Sequence, residues 1–388
     1  MRWLFALAMA LATLFIGPAA TAGDKEIAAI KAVLAPGAVD TQLFASSFLQ
    51  QVPPGRLKAT VAKVKAQIGP VLSVEGEDPH YTVDTAGYRM PVDITLDPSG
   101  KIVGLLFRPP VAKAASADDL LRQLTGLAPE SAWLVTRNGE PINSHNPDQG
   151  LAVGSAFKLG ILKALKDEIA AGKHSWTEVV TLQPEDVSLP SGILQTWPSG
   201  SALTVHSLAA LMISMSDNTA ADALLHLVGR EEVEQALGLP LVLTTREVFV
   251  LKANADARKR FLAANTEGRK AMLPELDLLP LPSVASVIGP YQKGIEYDLS
   301  PAKLCALIEA VADLDVFAIN PGVANRADWA RLAYKGGSEQ GVLSLTTQAV
   351  AKDGTRLCFS AVWNSPQAID ETKATSLYAS ALAKLAGP

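Results

Sequence analysis

Three short groups of residues hold the chemistry that this chain can offer. The first is Gly154-Ser155-Ala156-Phe157-Lys158. Helical apolar spacing begins there, with Leu159, Leu162 and Leu165 as one stripe. Ser155 then falls in a first helical turn, where unpaired backbone N–H groups and the helix dipole favour negative charge. Lys158 follows at i+3, on the same face of the helix. A serine hydroxyl becomes a nucleophile only when a base takes its proton, and a partly buried lysine with a depressed pKa is such a base. The second group, Ser216-Asp217-Asn218, lies 61 residues on (216 minus 155), at the junction of two apolar helical stretches, Leu208–Met215 and Thr219–Val228. The third, Lys335-Gly336-Gly337-Ser338, lies 119 residues further (335 minus 216), at the end of an expected strand Trp329–Tyr334. Its glycines let a substrate carbonyl come close to the backbone.

Each group taken alone has an ordinary structural meaning. A second S-x-x-K, Ser300-Pro301-Ala302-Lys303, opens a helix with Pro at its first position, which is a capping arrangement. Ser and Asp are favoured N-caps wherever they occur. Another K-x-G, Lys352-Asp353-Gly354, reads as a hairpin turn. What separates Ser155 from Ser300 is the ordered company of Ser216 and Lys335.

The elements that must position these groups follow from periodicity. From Ser116 the chain opens with a helix, Ala117–Leu124, then a hairpin of Trp133–Thr136 and Ile142–His145 around Asn138-Gly139, a strong type I′ turn signal. The middle, from Lys158 to about Leu237, is mostly helical. Strands return at Trp329–Tyr334, Gly341–Ala351 and Thr355–Trp363, and a last helix covers Glu371–Leu385. Strands at both ends with helices between them predict one antiparallel sheet built from both ends, with a helical lobe on one face.

Residues 24–110 read as a separate small α+β unit: helices Lys25–Leu34, Thr41–Gln51 and Pro54–Ile68, then an antiparallel meander. Before it, Arg2, the uncharged run Trp3–Ile16 and Ala20-Thr21-Ala22 have the layout of a cleavable signal peptide, residues 1–22. The run is short for a bilayer span, so no stable membrane span is expected after cleavage, and a periplasmic or secreted location is expected. Cys305 and Cys358 both lie in apolar stretches, which favours buried free thiols over a disulfide. The net charge of −5 gives no electrostatic footprint for nucleic acid. The five histidines fall in no metal-ligand spacing, and neither metal nor cofactor is expected. Nothing in the sequence sets the oligomeric state.

Taken together and in order, the three groups resemble the S-x-x-K, S-D-N and K-T-G motifs of class A β-lactamases and penicillin-binding proteins. The stretch Thr204–Val228 is similar to that family along its whole length, and the resemblance covers about residues 117–388. Leu189-Pro190-Ser191-Gly192, Thr244-Thr245-Arg246-Glu247 and the form of the third motif look like the Cpe/LpqF-type serine hydrolases, which join a cystatin- or isomerase-like (NTF2-like) N-terminal domain to a β-lactamase-type domain. The resemblance implies an α+β, β-lactamase/transpeptidase-like domain and a serine hydrolase acting on a small-molecule β-lactam or a related ester or amide. Ser155 would attack the carbonyl, Lys158 would take its proton, and Ser216 would relay a proton to the leaving group. Asn218 would hold Lys158 and the substrate amide. Lys335 would bind a substrate carboxylate and tune Ser216. The N–H groups of Ser155 and Ser338 would form the oxyanion hole beside Gly337.

Two departures from the family pattern stand out. Gly336 occupies the place of a hydroxyl residue, which removes one hydrogen bond to a substrate carboxylate. No Glu-x-x-Leu-Asn follows the second motif, and Glu247 is the nearest candidate to activate a deacylating water, unless it pairs with Arg246 or caps a helix. The alternatives are a cephalosporin-type esterase, a penicillin-binding sensor that is acylated but slow to release, and a non-catalytic envelope binding protein.

Overall fold

The computed structural model describes residues 23–386 except residue 288. The expected signal peptide, residues 1–22, lies outside the described residues. The chain divides between Lys113 and Ala114 into two units.

The first unit has helices α1 (Asp24–Leu34), α2 (Ser46–Gln51) and α3 (Pro54–Ile68). Strands β1 (Val71–Glu77), β2 (His80–Thr85), β3 (Tyr88–Leu96) and β4 (Ile102–Phe107) form an antiparallel meander, and short β5 (Val111–Ala112) also pairs with β3. Ile30, Val33, Leu57 and Val61 from α1 and α3 share one core with Val83, Met90, Val92 and Ile94 of the sheet. The helix expected over Thr41–Gln51 is interrupted. Phe44 is buried in the core and bridges to Ile102, so its backbone is extended and only a short 3-10 turn precedes α2.

The second unit begins with α4 (Ala117–Thr125), capped by Ser116, whose hydroxyl accepts from Asp119 N. Next come the hairpin β6 (Glu130–Arg137) and β7 (Glu140–His145), short β8 (Leu151–Ala152) and α5 (Lys158–Ala170). Asn138 and Gly139 turn the hairpin with φ of 53° and 88°, as a type I′ turn requires. The helical lobe follows. It holds the small hairpin β9 (Val179–Thr181) and β10 (Ala202–Thr204), then α6 (Val205–Ser214), α7 (Asn218–Val228) and α8 (Arg230–Leu237). It continues with α9 (Thr245–Ala253), α10 (Ala255–Ala263), α11 (Thr266–Leu278) and α12 (Val284–Val287). The chain ends with β11 (Asp298–Leu299), α13 (Pro301–Val311), β12 (Arg331–Glu339), β13 (Val342–Val350), β14 (Arg356–Asn364) and α14 (Glu371–Leu385).

The main sheet runs β12-β13-β14-β6-β7, antiparallel throughout, so strands from both ends of the unit share it as expected. Helices cover both of its faces. On one, Trp363 Nε1 donates to Leu124 O of α4 at 2.8 Å, and the Tyr378 hydroxyl of α14 donates to Phe359 O at 2.5 Å. On the other lie α13 and the helical lobe. This double cover explains why β13 and β14 are buried almost continuously, without the polar alternation of a one-faced sheet.

Two further expectations are corrected. Cys305 and Cys358 form a disulfide, not free thiols: α13 lays Cys305 over the face of β14 that presents Cys358, with Cα atoms 5.8 Å apart, inside bridging range. The apolar flanks correctly signalled burial, but pairing depends on a helix-on-strand contact that flanking residues do not encode. The strand expected to end at Tyr334 runs on to Glu339. Lys335-Gly336-Gly337-Ser338 is therefore inside an edge strand, with Lys335 opposite Thr346 and Gly337 opposite Ser344. Among the described residues, no helix is long and apolar enough to cross a membrane.

Candidate active site

Ser155 lies in a 3-10 turn, Gly154–Phe157, that feeds directly into α5. Several groups hold this turn. Asn364 grips Ala152 at both ends, accepting from its N–H and donating to its carbonyl at 2.9 Å each. The Ser344 hydroxyl donates to Val153 O at 2.7 Å. Val153 N donates to Tyr297 O at 3.1 Å, and the Tyr297 ring stacks on Phe157 with centroids 3.6 Å apart. The Ser155 hydroxyl itself is half-buried and has no hydrogen-bond partner among the described residues. It lines a cavity of about 350 Å³.

Lys158, the first residue of α5, is fully buried. Its amine donates to Ser216 O at 2.6 Å, to Asn218 Oδ1 at 2.5 Å and to Ser216 Oγ at 3.3 Å. Burial lowers its pKa to about 7, against the pull of Asp222 and Asp217. The loop that receives it is strained and braced. Ser216 has φ of 57°, in the left-handed region, an arrangement that costs about 1–3 kcal/mol and persists only where its surroundings enforce it. Ser191 Oγ donates to Ser216 O at 2.6 Å, and Asn218 N donates to Ser191 O at 3.1 Å. Asn218 Nδ2 donates to Leu189 O at 2.9 Å. Asp217 caps α7 through Ala220 N, and its other oxygen accepts from Ile193 N and Leu194 N. The Leu189-Pro190-Ser191-Gly192 segment is thus the structural partner of Ser216-Asp217-Asn218. Gly192 has φ of 98°, and a Cβ there would collide with Asp217.

Lys335 reaches the same hydroxyl from the sheet. Its amine donates to Ser216 Oγ at 3.0 Å and to Gly336 O at 2.6 Å. Burial, then the nearby Lys158, holds its pKa well below the usual lysine value. Two residues along the same face, Gly337 lies flat against the Ser155 turn. A Cβ there would collide with Val153 O and stand 2.5 Å from Ser155 N. Gly154 packs back onto Ser338 N, which would be 3.4 Å from its own added Cβ. The N–H groups of Ser155 and Ser338 are brought together by this backbone-on-backbone contact. Gly336 has a separate reason to lack a side chain: the Tyr334 hydroxyl occupies the space a Cβ would need.

Glu247 has no free oxygen for a water. It closes a capping box at the start of α9, accepting from Thr244 N at 2.6 Å, and forms a two-point ion pair with Arg230 at 2.9 and 3.0 Å. Its partner is Arg230, not Arg246. Arg246 instead donates to the carbonyls of Val187 and Leu279. The connection between α8 and α9, residues 238–244, carries no carboxylate. Asp222, fully buried behind Lys158, accepts from Thr245 N, Thr245 Oγ1 and Arg246 N, and burial raises its carboxyl to about 6. The second S-x-x-K is a cap: Ser300 Oγ accepts from Lys303 N at the start of α13.

Sequence reasoning brought Ser155, Lys158, Ser216, Asn218, Lys335, Gly337 and Ser338 to one place. It missed the groups that hold them, namely Asn364, Ser344, Tyr297 and Asp222, whereas Asp217 caps α7 as its residue type suggested. It also missed a buried cluster on the cavity wall, where Lys252 of α9 pairs with Glu296 at 2.9 Å and with Glu339. None of these has a local spacing signal, because each acts across elements far apart in the chain. Among the described residues no cluster of potential metal ligands is present.

The fold is that of the β-lactamases and transpeptidases. Residues 119–269 match the model of the Beta-lactamase enzyme family. Over 87 residues the chain is 33% identical to beta-lactamase VEB-1 of Pseudomonas aeruginosa, a stretch that is 22% of this chain and spans only 29% of that relative's length. The beta-lactamase of Sphaerobacter thermophilus DSM 20745 superposes with a TM-score of 0.50 at 18% identity, over 70% of this chain and 98% of that one. The beta-lactamase of Desulfarculus baarsii DSM 2075 gives 0.49 at 19% identity, over 71% and 100%.

Proposed function

We propose that the protein is an exported serine hydrolase that is acylated at Ser155 by a β-lactam or a related ester or amide. The observation that carries this reading is the convergence of two buried lysines on Ser216 Oγ, at 3.3 Å from Lys158 and 3.0 Å from Lys335, beside an unpartnered serine in a cavity. Neutral Lys158 takes the Ser155 proton as Oγ attacks the carbonyl. The N–H groups of Ser155 and Ser338 hold the oxyanion, usually the largest single contribution to rate. Ser216 passes its hydroxyl proton to the leaving nitrogen or oxygen and is refilled from the Lys158 ammonium, so the Ser155 proton ends on the leaving group. Lys335 steadies Ser216 and attracts an anionic substrate group. Asn218 holds Lys158 in place, and the second hydrogen of its amide, which has no partner among the described residues, is available to a substrate amide.

Assignment to the Cpe/LpqF-type hydrolases, with a cystatin-like first unit, is part of this proposal. It is supported by the way Leu189–Gly192 and Thr244–Glu247 are built into the site. An esterase is the second reading. It is favoured by the carboxylate-free connection at residues 238–244, which lacks the family's usual water-activating Glu. Incubating the mature chain with a penicillin and with a chromogenic ester, and following intact mass and product, tests both. Turnover of the ester with slow release of penicillin supports the esterase. Absence of adduct and product with every donor would leave only a non-catalytic binding protein.

A further inference from the structure

The acyl-enzyme on Ser155 must be attacked by water, and the residue expected for that step, Glu247, is committed to Arg230 and a helix cap. Among the described residues lining the cavity, only Glu296 and Glu339 are carboxylates. Strand alternation puts Lys335, Gly337 and Glu339 on one face of β12, about 6.6 Å apart in sequence steps of two. Lys335 reaches Ser216 on one side of the nucleophile, Gly337 abuts the Ser155 turn, and Glu339 continues the row on the other side. The two acids are not equivalent. Glu296 Oε1 accepts from Gln292 N at 3.0 Å and from Lys252 at 2.9 Å. Glu339 meets Lys252 through Oε2, and its carboxyl also lies against that of Glu296. Glu339 is 23% exposed at its side chain and Glu296 only 2%, so of the two acids Glu339 is the one that water in the cavity can reach.

We propose that Glu339 is the general base that activates the deacylating water, with Lys252 and Glu296 as its positioning residues. This rests on acylation at Ser155. Water held by the Glu339 carboxylate gives it a proton as it attacks the acyl carbonyl. The oxyanion is held by the N–H groups of Ser155 and Ser338. As the carbon–Oγ bond breaks, the proton passes to Ser155 Oγ and a carboxylic acid leaves. Burial, then the charge of Glu296 and a hydrogen bond with its carboxyl, raises the Glu339 carboxyl to about 7, with Lys252 opposing, a value that suits a base near neutral pH.

The test is Glu339→Gln in the full mature chain, followed with a chromogenic ester by rapid mixing and intact mass. The expected result is an unchanged first burst, a steady-state turnover lower by roughly 100-fold, and a covalent adduct that accumulates. Glu339→Asp, which keeps the carboxylate, should restore part of the turnover, and it serves as the readout if the Gln variant does not fold. Equal slowing of burst and turnover would assign Glu339 a bracing role and overturn the inference. So would wild-type turnover in Glu339→Gln. A wild-type chain that is acylated but never released also overturns it, and leaves acylation at Ser155 standing. A wild-type chain that takes no acyl group overturns both.

Discussion

Ser155 and Ser300 each precede a lysine by three residues and each stand at the start of a helix, yet their surroundings differ in every respect that matters for chemistry. Ser300 uses its hydroxyl to cap α13, accepting from Lys303 N, and Lys303 is half-buried. Ser155 has its hydroxyl unengaged at a cavity wall, and Lys158 is wholly buried among acceptors from Ser216 and Asn218. The spacing supplies proximity only. In the proposed mechanism desolvation makes Lys158 the base, because it lowers the lysine pKa to about 7. The second motif supplies the acceptors around Lys158, and Lys335 of the third donates to the same Ser216 hydroxyl, the proton relay of the proposed mechanism.

Exchanging the lysines should break the pair most sharply. Lys158→Met should lower the rate of adduct formation by roughly 1,000-fold or more, whereas Lys303→Met should leave it unchanged, both read by intact mass against time. Gly337→Ala should come next. The added methyl meets Val153 O and Ser155 N, so the strand must move off the nucleophile turn, and a loss of roughly 100-fold or more in acylation is expected from a misplaced oxyanion donor. The pH profile sharpens the contrast. A base acts unprotonated, so acylation should rise about tenfold per pH unit below pH 7 and level off above it. A rate flat from pH 5 to 9 would contradict a titrating Lys158. Removing the disulfide with Cys305→Ala should cost about 2–4 kcal/mol of stability, read by thermal melting. The smallest effect should be Ser300→Ala, a lost cap worth about 1 kcal/mol, with no change in acylation.

Much of this comparison was legible in the sequence. The order of Ser155, Ser216 and Lys335 singled out one S-x-x-K over the other, and Pro301 marked the second as a cap. The two-ended sheet followed from where the alternating segments fell. Less legible were the features that depend on contacts between distant elements. The Cys305–Cys358 bridge needs α13 laid over β14. The extension of β12 past its glycines needs β13 as a partner and the Ser155 turn as a neighbour. Glu247 looked available because its partner, Arg230, lies 17 residues away on another helix. Lys252, Glu296 and Glu339 carry no motif at all, and only the cavity brings them together.

The most direct test is to expose the mature chain, Ser155→Ala and Ser300→Ala to the same activated acyl donor and to read intact mass and the labelled peptide. One acyl group on the wild type and on Ser300→Ala, mapped to Ser155, with none on Ser155→Ala, is the predicted result. An adduct that survives in Ser155→Ala, or one that disappears in Ser300→Ala, would contradict the assignment of the nucleophile.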